Sequence, residues 1–479
     1  MATSRAIPAE RLARLVDVVG PTGLLTGADA VRLRGLGRPG TEVRPEVLVR
    51  PKTTAAVAEV LALCNQWRLP VVTQGGLTGL VDGAIPGPGE LALSLESMNL
   101  IEELDGVQGT LLAQAGVPLA QAQEAAAAAG WMLPLDLGGR GSATLGGNVA
   151  TNAGGNRVLR YGMTRNLVMG LEVVLADGTV LSCLKKVLKD NTGYDLNQLF
   201  VGSEGTLGVI TRVLLRLVPK PVTRATALVA LDDFPAVVGL LQRMRLGLQG
   251  QLTAFEVMWQ SFYRCVTEPP APHRAPISGA HAYYVLVEAL GNDPAIDGPR
   301  FEGVLEQAVA AGQIADAVVA KSEGEIEALW AMRDDVAQVA RHHPLVGFDI
   351  SLPVDAMEEY LRVVHEELRG VWPHTQLIVF GHLGDGNLHL VVSMREDCPA
   401  ERQRVERCVY LPLQTRGGSI SAEHGVGLQK KPYLEYSRSQ QEIEVMRRVK
   451  RALDPNLVLN PGRIFDAMPV DTNTEGNVQ

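Results

Sequence analysis

The sequence predicts an α+β chain of two or three domains, on three observations. Its 479 residues exceed what one hydrophobic core usually organises. From Val47 onward short β-rich and helical units alternate. After Pro219 glycine becomes sparser and longer helix–strand units take over, so a domain boundary is expected near residue 222.

In chain order, residues 1–44 are expected to form an N-terminal helical segment. The run VLVRP then reads as a strand, residues 54–67 as a helix, and LPVVTQGG as a second strand entering a turn. Thr53 and Thr54 suit the helix N-terminus, and Val57, Val60, Leu61 and Cys64 recur at helical spacing, which predicts one buried face. LALSLESMN and LLAQAGV form a second unit with the alanine-rich helix from Leu119 to Ala129, which Gly130 stops. LEVVLADGTVLS predicts a hairpin, with ADG as its turn, and GTLGVITRVLLRLVP a further strand. At the end, LDPNLVLNPGRIF follows a charged helix, and the tail at 466–479 has the composition of a disordered segment.

Composition excludes several function classes. Hydrophobic residues make up 46% and charged residues 20% of the chain, an ordinary globular balance. A net charge of −9 argues against nucleic acid or an anionic membrane as the main partner, since either is normally met by a clustered basic face. Met1 to Gly20 lacks the apolar run of a secretion signal, and no stretch of about 20 apolar residues occurs, so a cytoplasmic protein without a transmembrane segment is expected. Cys64, Cys183, Cys265, Cys398 and Cys408 include no CxxC pair and read as small buried apolar residues rather than disulfide or zinc ligands.

Two glycine-rich stretches carry the first chemical signal. Thr73-Gln74-Gly75-Gly76-Leu77-Thr78-Gly79 follows a strand and supplies adjacent backbone amides with little side-chain bulk, as a pyrophosphate requires where no basic side chain is near. Residues 138–156 hold seven glycines and a single charge, Arg140, with small hydroxyl and amide side chains that suit the length of a dinucleotide. Glycines that merely shape turns would explain one such stretch more readily than two. Neither has the GxGxxG spacing and following acid of a nicotinamide fingerprint, so a Rossmann reading fails.

The second signal is LIVFGHLGDGNLHLVVS at 377–393. Asp385-Gly386 between two apolar runs predicts a two-residue hairpin, which sets His382 opposite His389. Residues so opposed have Cβ atoms about 5 Å apart, close enough to share an ion. SAEHGVG adds Glu423 and His424 beside glycines. Two histidines and one carboxylate with open positions suit zinc or a similar divalent ion that still accepts a substrate.

TQGGLTG, LGGNVATNAGG, RYG at 160–162, DNTGYDL and GSEGTLGVIT together resemble the FAD-binding half of the vanillyl-alcohol oxidase and PCMH superfamily. FGHLGDGNLHL and SISAEHGVG are similar to the D-2-hydroxyglutarate and D-lactate dehydrogenases within it, and more to the former. The resemblance runs from about residue 45 to 465. It implies a PCMH-type two-subdomain FAD-binding domain at 45–222 and a substrate domain at 223–420 with an antiparallel sheet covered by helices. It further implies a C-terminal helical segment at 421–465 that completes the active site and packs on the FAD domain.

The same resemblance implies that Gln74, Gly75, Gly76, Leu77, Thr78 and Gly79 hold the FAD pyrophosphate. Ser142, Gly146, Gly147, Asn148, Thr151 and Asn152 would run beside the flavin, and Gly205, Gly208, Ile210 and Asn460 would complete the pocket. It makes His382, His389 and Glu423 the metal ligands, His424 the base and Arg333 the clamp on the substrate carboxylate. All nine histidines lie at position 273 or later, so the FAD domain has none for the covalent flavin link seen in some relatives. A 2-hydroxy acid would lose its hydroxyl proton to His424 and a hydride to flavin N5, with electron-transferring flavoprotein or a quinone as the onward acceptor.

The family places polar substrate contacts where this chain has Ala337 for a threonine, Gly347 for a lysine and Val391 for an asparagine; Leu77 and Asn156 also depart from the usual pattern. D-2-hydroxyglutarate is therefore expected first among substrates, with D-lactate or another D-acid of smaller or apolar side chain as the alternative. An oxygen-using oxidase and a non-catalytic flavin-binding subunit are the other classes; a homodimer is compatible with the leading reading.

Overall fold

The computed structural model describes residues 7–34 and 41–467. Of the tail expected to be disordered, residues 468–479 lie outside the described residues.

The first half holds two sheets. Strands Val47–Val49, Leu91–Ser94 and Val71–Gln74 pair in parallel, and Leu24–Thr26 closes the edge antiparallel to Val47–Val49. The expected N-terminal helical segment is thus only partly helical: Ala9–Val19 is a helix, Leu24–Thr26 then covers an otherwise open sheet edge, and Arg32–Leu33 pairs with Glu42–Val43 apart from it. The helix at Thr54–Trp67 starts at Thr53, whose Oγ1 accepts the Ala56 N–H at 3.1 Å. It buries Val57, Val60, Leu61 and Cys64 completely.

The second sheet is antiparallel, ordered Val180–Ser182, Val168–Val174, Val209–Arg216, Thr110–Gln114 and Ile101–Asp105. The ADG signal is met here, since Val174 pairs with Val180 around Asp177-Gly178. One apolar core serves both sheets and takes in Val458 and Leu459 from the far end of the chain. Val71 donates to the Val458 carbonyl and Asn460 donates to the Val71 carbonyl, both at 2.8 Å. That return places the C-terminal segment against the first glycine turn.

Strand Thr223–Leu231 begins a seven-stranded antiparallel sheet. The order is Asp316–Val319, Thr223–Leu231, Tyr283–Gly291, Leu252–Trp259, Leu377–His382, Asn387–Ser393 and Leu345–Ser351. Helices Phe234–Gly247, Asp297–Ala310, Met357–Val371 and Pro399–Tyr410 cover one face. Gln260–Thr267 and Glu323–Asp334 cover part of the other. The second face holds a row of polar residues among apolar ones, and the site lies there.

Cys64 and Cys265 are buried as expected, whereas Cys183, Cys398 and Cys408 are partly exposed. Among the described residues no helix is long and apolar enough to cross a membrane.

Candidate active site

The two glycine stretches pack directly on each other. A Cβ at Gly76 would lie 1.7 Å from the Ser142 carbonyl oxygen, and one at Gly75 would lie 2.6 Å from Thr144 Oγ1. Only glycine permits that approach. The second stretch is not a loop throughout, because Leu145–Ala150 forms a short helix capped by Thr144.

The residues here fit a dinucleotide. Thr73 Oγ1, Gln74 Oε1 and Asn148 Nδ2 are buried and lack a partner among the described residues, an arrangement that is costly unless a ligand or water meets them. Open space surrounds Gly79, Gly138 and Gly141. Leu77, Asn152, Glu204 and Asn460 hold left-handed φ angles of 53°, 49°, 51° and 42°, the kind of local strain that gathers at functional sites.

Asn460 has a binding role within the protein itself. Its Oδ1 accepts the Thr73 N–H at 2.9 Å and its Nδ2 donates to the Glu204 carbonyl at 2.8 Å. It ties the first glycine turn to the GSEG turn through both of its amide atoms. Gly146, Gly208 and Ile210 are likewise packed, Gly208 against Val173 and Phe200. Thr151 donates to the Gly147 carbonyl at 3.0 Å.

At the sheet face His382 and His389 do come together, but by a different register from the one expected. His389 pairs with Phe380, and His382 pairs with Glu256 of the neighbouring strand. The connection is a 3-10 turn at Leu383–Asp385 closed by left-handed Gly386, rather than a two-residue turn. The pairing has slipped by two residues, and because strand side chains alternate with period two, the slip leaves both histidines on one face. They meet diagonally, with ring centroids 5.3 Å apart.

The ligand atoms of His382, His389 and Glu423 all lie within 4.8 Å of one another, with His382 Nε2 3.9 Å from Glu423 Oε1. That set fits a divalent ion. Asp349, His389 and His424 form a second group of similar spacing. The Asp349 carboxylate is already committed, however: Oδ2 accepts the N–H groups of Ala422, Glu423 and His424 at 3.0–3.1 Å, and Oδ1 accepts from Asn387. A third group, Glu396, Cys398 and Glu401, lies at the surface beside a helix start.

Four charged residues that the motifs did not single out organise this cluster: Glu256, Asp349, Lys430 and Glu204. Glu256 Oε1 lies 2.8 Å from His382 Nδ1, which fixes the ring and aims Nε2 toward Glu423. Burial pulls the His382 imidazolium down, but Glu256 and Glu423 outweigh it and raise it to about 9. Burial keeps His389 and His424 neutral, lowering both below the usual histidine range. For Asp349 burial acts upward, and the charge of Lys430 together with the N–H bonds from residues 422–424 overcomes it and holds the carboxyl well below the usual range. Lys430 Nζ donates to the Asp349 carbonyl at 3.0 Å. The available signal was a lone acid in an apolar strand, Glu256 in LTAFEVMW and Asp349 in LVGFDIS, since a charge buried there demands partners.

Arg333 is 5% exposed. Its Nε and Nη2 donate to Glu256 Oε2 at 3.0 and 2.7 Å, and Nη1 faces Asp334 at 3.4 Å. Arg333 is thus a buried residue held by an acid of the neighbouring strand. His424 is the most open of the three histidines, with its side chain 27% exposed against 8% for His382 and 14% for His389. Finally, Glu423 Oε1 accepts the Gly155 N–H at 2.6 Å, so the ligand cluster abuts the second glycine stretch.

Comparison with known proteins agrees with this architecture. Residues 220–464 match the model of the C-terminal domain of FAD linked oxidases, and residues 45–184 match an FAD binding domain. The chain is 41% identical to the mitochondrial D-2-hydroxyglutarate dehydrogenase of Bos taurus over 88% of its own length and 77% of that protein. It is 38% identical to the D-2-hydroxyglutarate dehydrogenase of Xanthomonas citri pv. viticola, covering 90% of this chain and 91% of that one. Among solved structures, p-cresol methylhydroxylase with substrate bound superposes with a TM-score of 0.77 over 96% of this chain and 98% of that one, at 17% identity, a likeness of fold. The chain belongs to the FAD-linked oxidase family, as a member of its FAD-dependent D-2-hydroxy acid dehydrogenase branch.

Proposed function

We propose that this enzyme oxidises D-2-hydroxyglutarate, first among D-2-hydroxy acids, to the 2-oxo acid, with non-covalent FAD and a divalent metal, zinc by its ligand set. One observation carries the reading: the 2.6 Å bond from the Gly155 N–H to Glu423 joins the ligand cluster to the glycine-rich stretch that fits a dinucleotide. FAD when bound supplies the hydride acceptor at N5, and the ion, held by His382, His389 and Glu423, supplies Lewis acidity toward the hydroxyl and carboxylate oxygens.

The chain's own residues do the rest. His424, neutral and accessible, takes the hydroxyl proton, and Asp349, 3.7 Å from its Nδ1, stabilises the imidazolium that results. Arg333, oriented by Glu256, offers Nη1 and the second Nη2 hydrogen to the substrate carboxylate. With FAD bound, electron-transferring flavoprotein or a quinone would be the onward electron acceptor.

A second substrate reading rests on the sheet face itself. Val391 pairs with Gly347 on one side and with Ile378 on the other, so the row next to His389 is uncharged. D-lactate or a D-acid with an apolar side chain suits that row. Anaerobic bleaching of the flavin absorbance by a panel of D- and L-2-hydroxy acids, before and after chelation, tests both readings. Chelator-sensitive bleaching by D-2-hydroxyglutarate supports the first, bleaching only by apolar D-acids the second. Bleaching by none of them overturns the site.

A further inference from the structure

The loop that carries His424 is gripped from both domains by two carboxylates. From the substrate domain, Asp349 Oδ2 accepts three consecutive N–H groups, those of Ala422, Glu423 and His424. From the FAD domain, Glu204 Oε1 accepts the Val426 N–H at 2.7 Å and Oε2 accepts the Gly427 N–H at 2.8 Å. Between the two grips lies Gly425, at φ 79°, where a Cβ would lie 2.8 Å from Glu204 Oε1. Inside the loop Ser421 Oγ donates to the Gly425 carbonyl at 2.7 Å, and Lys430 Nζ donates to Ser421 Oγ at 3.0 Å.

Glu204 is itself firmly placed. Its N–H bonds the Ala150 carbonyl at 2.8 Å, its own carbonyl accepts from Asn460 Nδ2, and its φ of 51° is that of a residue held by its surroundings. It therefore reports the position of the glycine-rich framework to the loop. With one grip alone the segment could pivot about the other, and His424 would lose its fixed distance from the flavin side.

We propose that Glu204 is a positioning residue, which with Asp349 clamps the segment 421–427 across the domain interface and so sets His424 at its working distance. The role rests on the reading of His424 as the base. Glu204 acts through the N–H groups of Val426 and Gly427, not on the substrate.

The test uses the FAD-loaded full chain with Glu204→Ala and Glu204→Gln. Hydrogen exchange in peptides spanning residues 422–427 should accelerate in Glu204→Ala. In anaerobic reduction by D-2-hydroxyglutarate, the limiting rate should fall on the order of 10²-fold, as for a reacting group displaced by about 1 Å, with little change in substrate affinity. Glu204→Gln keeps one acceptor oxygen and should recover part of both. Unchanged exchange overturns the clamp, and so does a wild-type reduction rate in Glu204→Ala. Loss of FAD in proportion to the rate also overturns it, by making Glu204 a cofactor-retention residue. If D-2-hydroxy acids fail to reduce the unmutated protein, the functional reading fails, and exchange at 422–427 alone then decides whether the clamp exists.

Discussion

The Glu256 carboxylate stands between His382 and Arg333, 2.8 Å from Nδ1 of the first and 2.7 Å from Nη2 of the second. One buried acid thus orients both the histidine proposed as a metal ligand and the arginine proposed to hold the substrate. Burial pushes its carboxyl upward, but His382 and Arg333 overcome this and hold it below the usual range. Glu256→Gln keeps the shape and removes the charge, and zinc affinity should fall about 10–100-fold. Glu256→Ala should also cost about 3–5 kcal/mol of stability, because the Arg333 charge is left buried without its partner. Chelator competition and thermal unfolding measure the two effects; wild-type zinc affinity in Glu256→Gln would show that His382 needs no such support.

Removing the metal and removing the base should leave different signatures. Chelation should abolish flavin reduction by the substrate and leave the visible flavin spectrum in place, because the unpartnered polar atoms of Thr73, Gln74 and Asn148 that fit the dinucleotide are not among the groups that fit the ion. His424→Ala should retain both metal and FAD and lose about 10²–10⁴-fold in kcat. A chelated protein still reduced at full rate sinks the metal's role; His424→Ala at full kcat sinks the assignment of the base.

The sequence made the glycine stretches, the hairpin signal at 177–178 and the helical face of 54–67 readable because each is a local pattern with a local cause. The histidine pair was readable for a more limited reason. The expected register was off by two residues, yet period-two alternation kept His382 and His389 on one face, so the chemistry survived an error in the geometry. Glu256, Asp349 and Glu204 could not be assigned this way, since their partners lie 126, 75 and 222 positions distant in the bonds to His382, His424 and Val426. Long-range pairing of buried charge leaves only the bare sign of an acid among apolar residues.

Gly76→Ala tests the packing of the two glycine stretches. The new methyl would lie 1.7 Å from the Ser142 carbonyl oxygen, a backbone atom that cannot turn aside as a side chain would. The stretches must separate, at a cost of about 1–3 kcal/mol. FAD should dissociate more readily, seen as free flavin fluorescence on dilution. Unchanged retention would mean that this contact does not shape the cofactor site.

The last test concerns which side chain the substrate carries. Gly347 is exposed, lies opposite Val391, and has nothing within 4 Å of where its Cβ would be, so a longer side chain enters without a clash. Gly347→Lys would bring an ammonium group beside an uncharged row. If the distal carboxylate of D-2-hydroxyglutarate binds along that row, the substitution should lower its KM by about tenfold, the effect of roughly 1.4 kcal/mol of added attraction, and leave D-lactate unchanged. The salt dependence of KM for D-2-hydroxyglutarate should steepen at the same time, since the added interaction is between partly exposed charges. Equal effects on both acids would place the distal carboxylate elsewhere, and a loss confined to apolar D-acids would show that the row serves them in the unmutated enzyme.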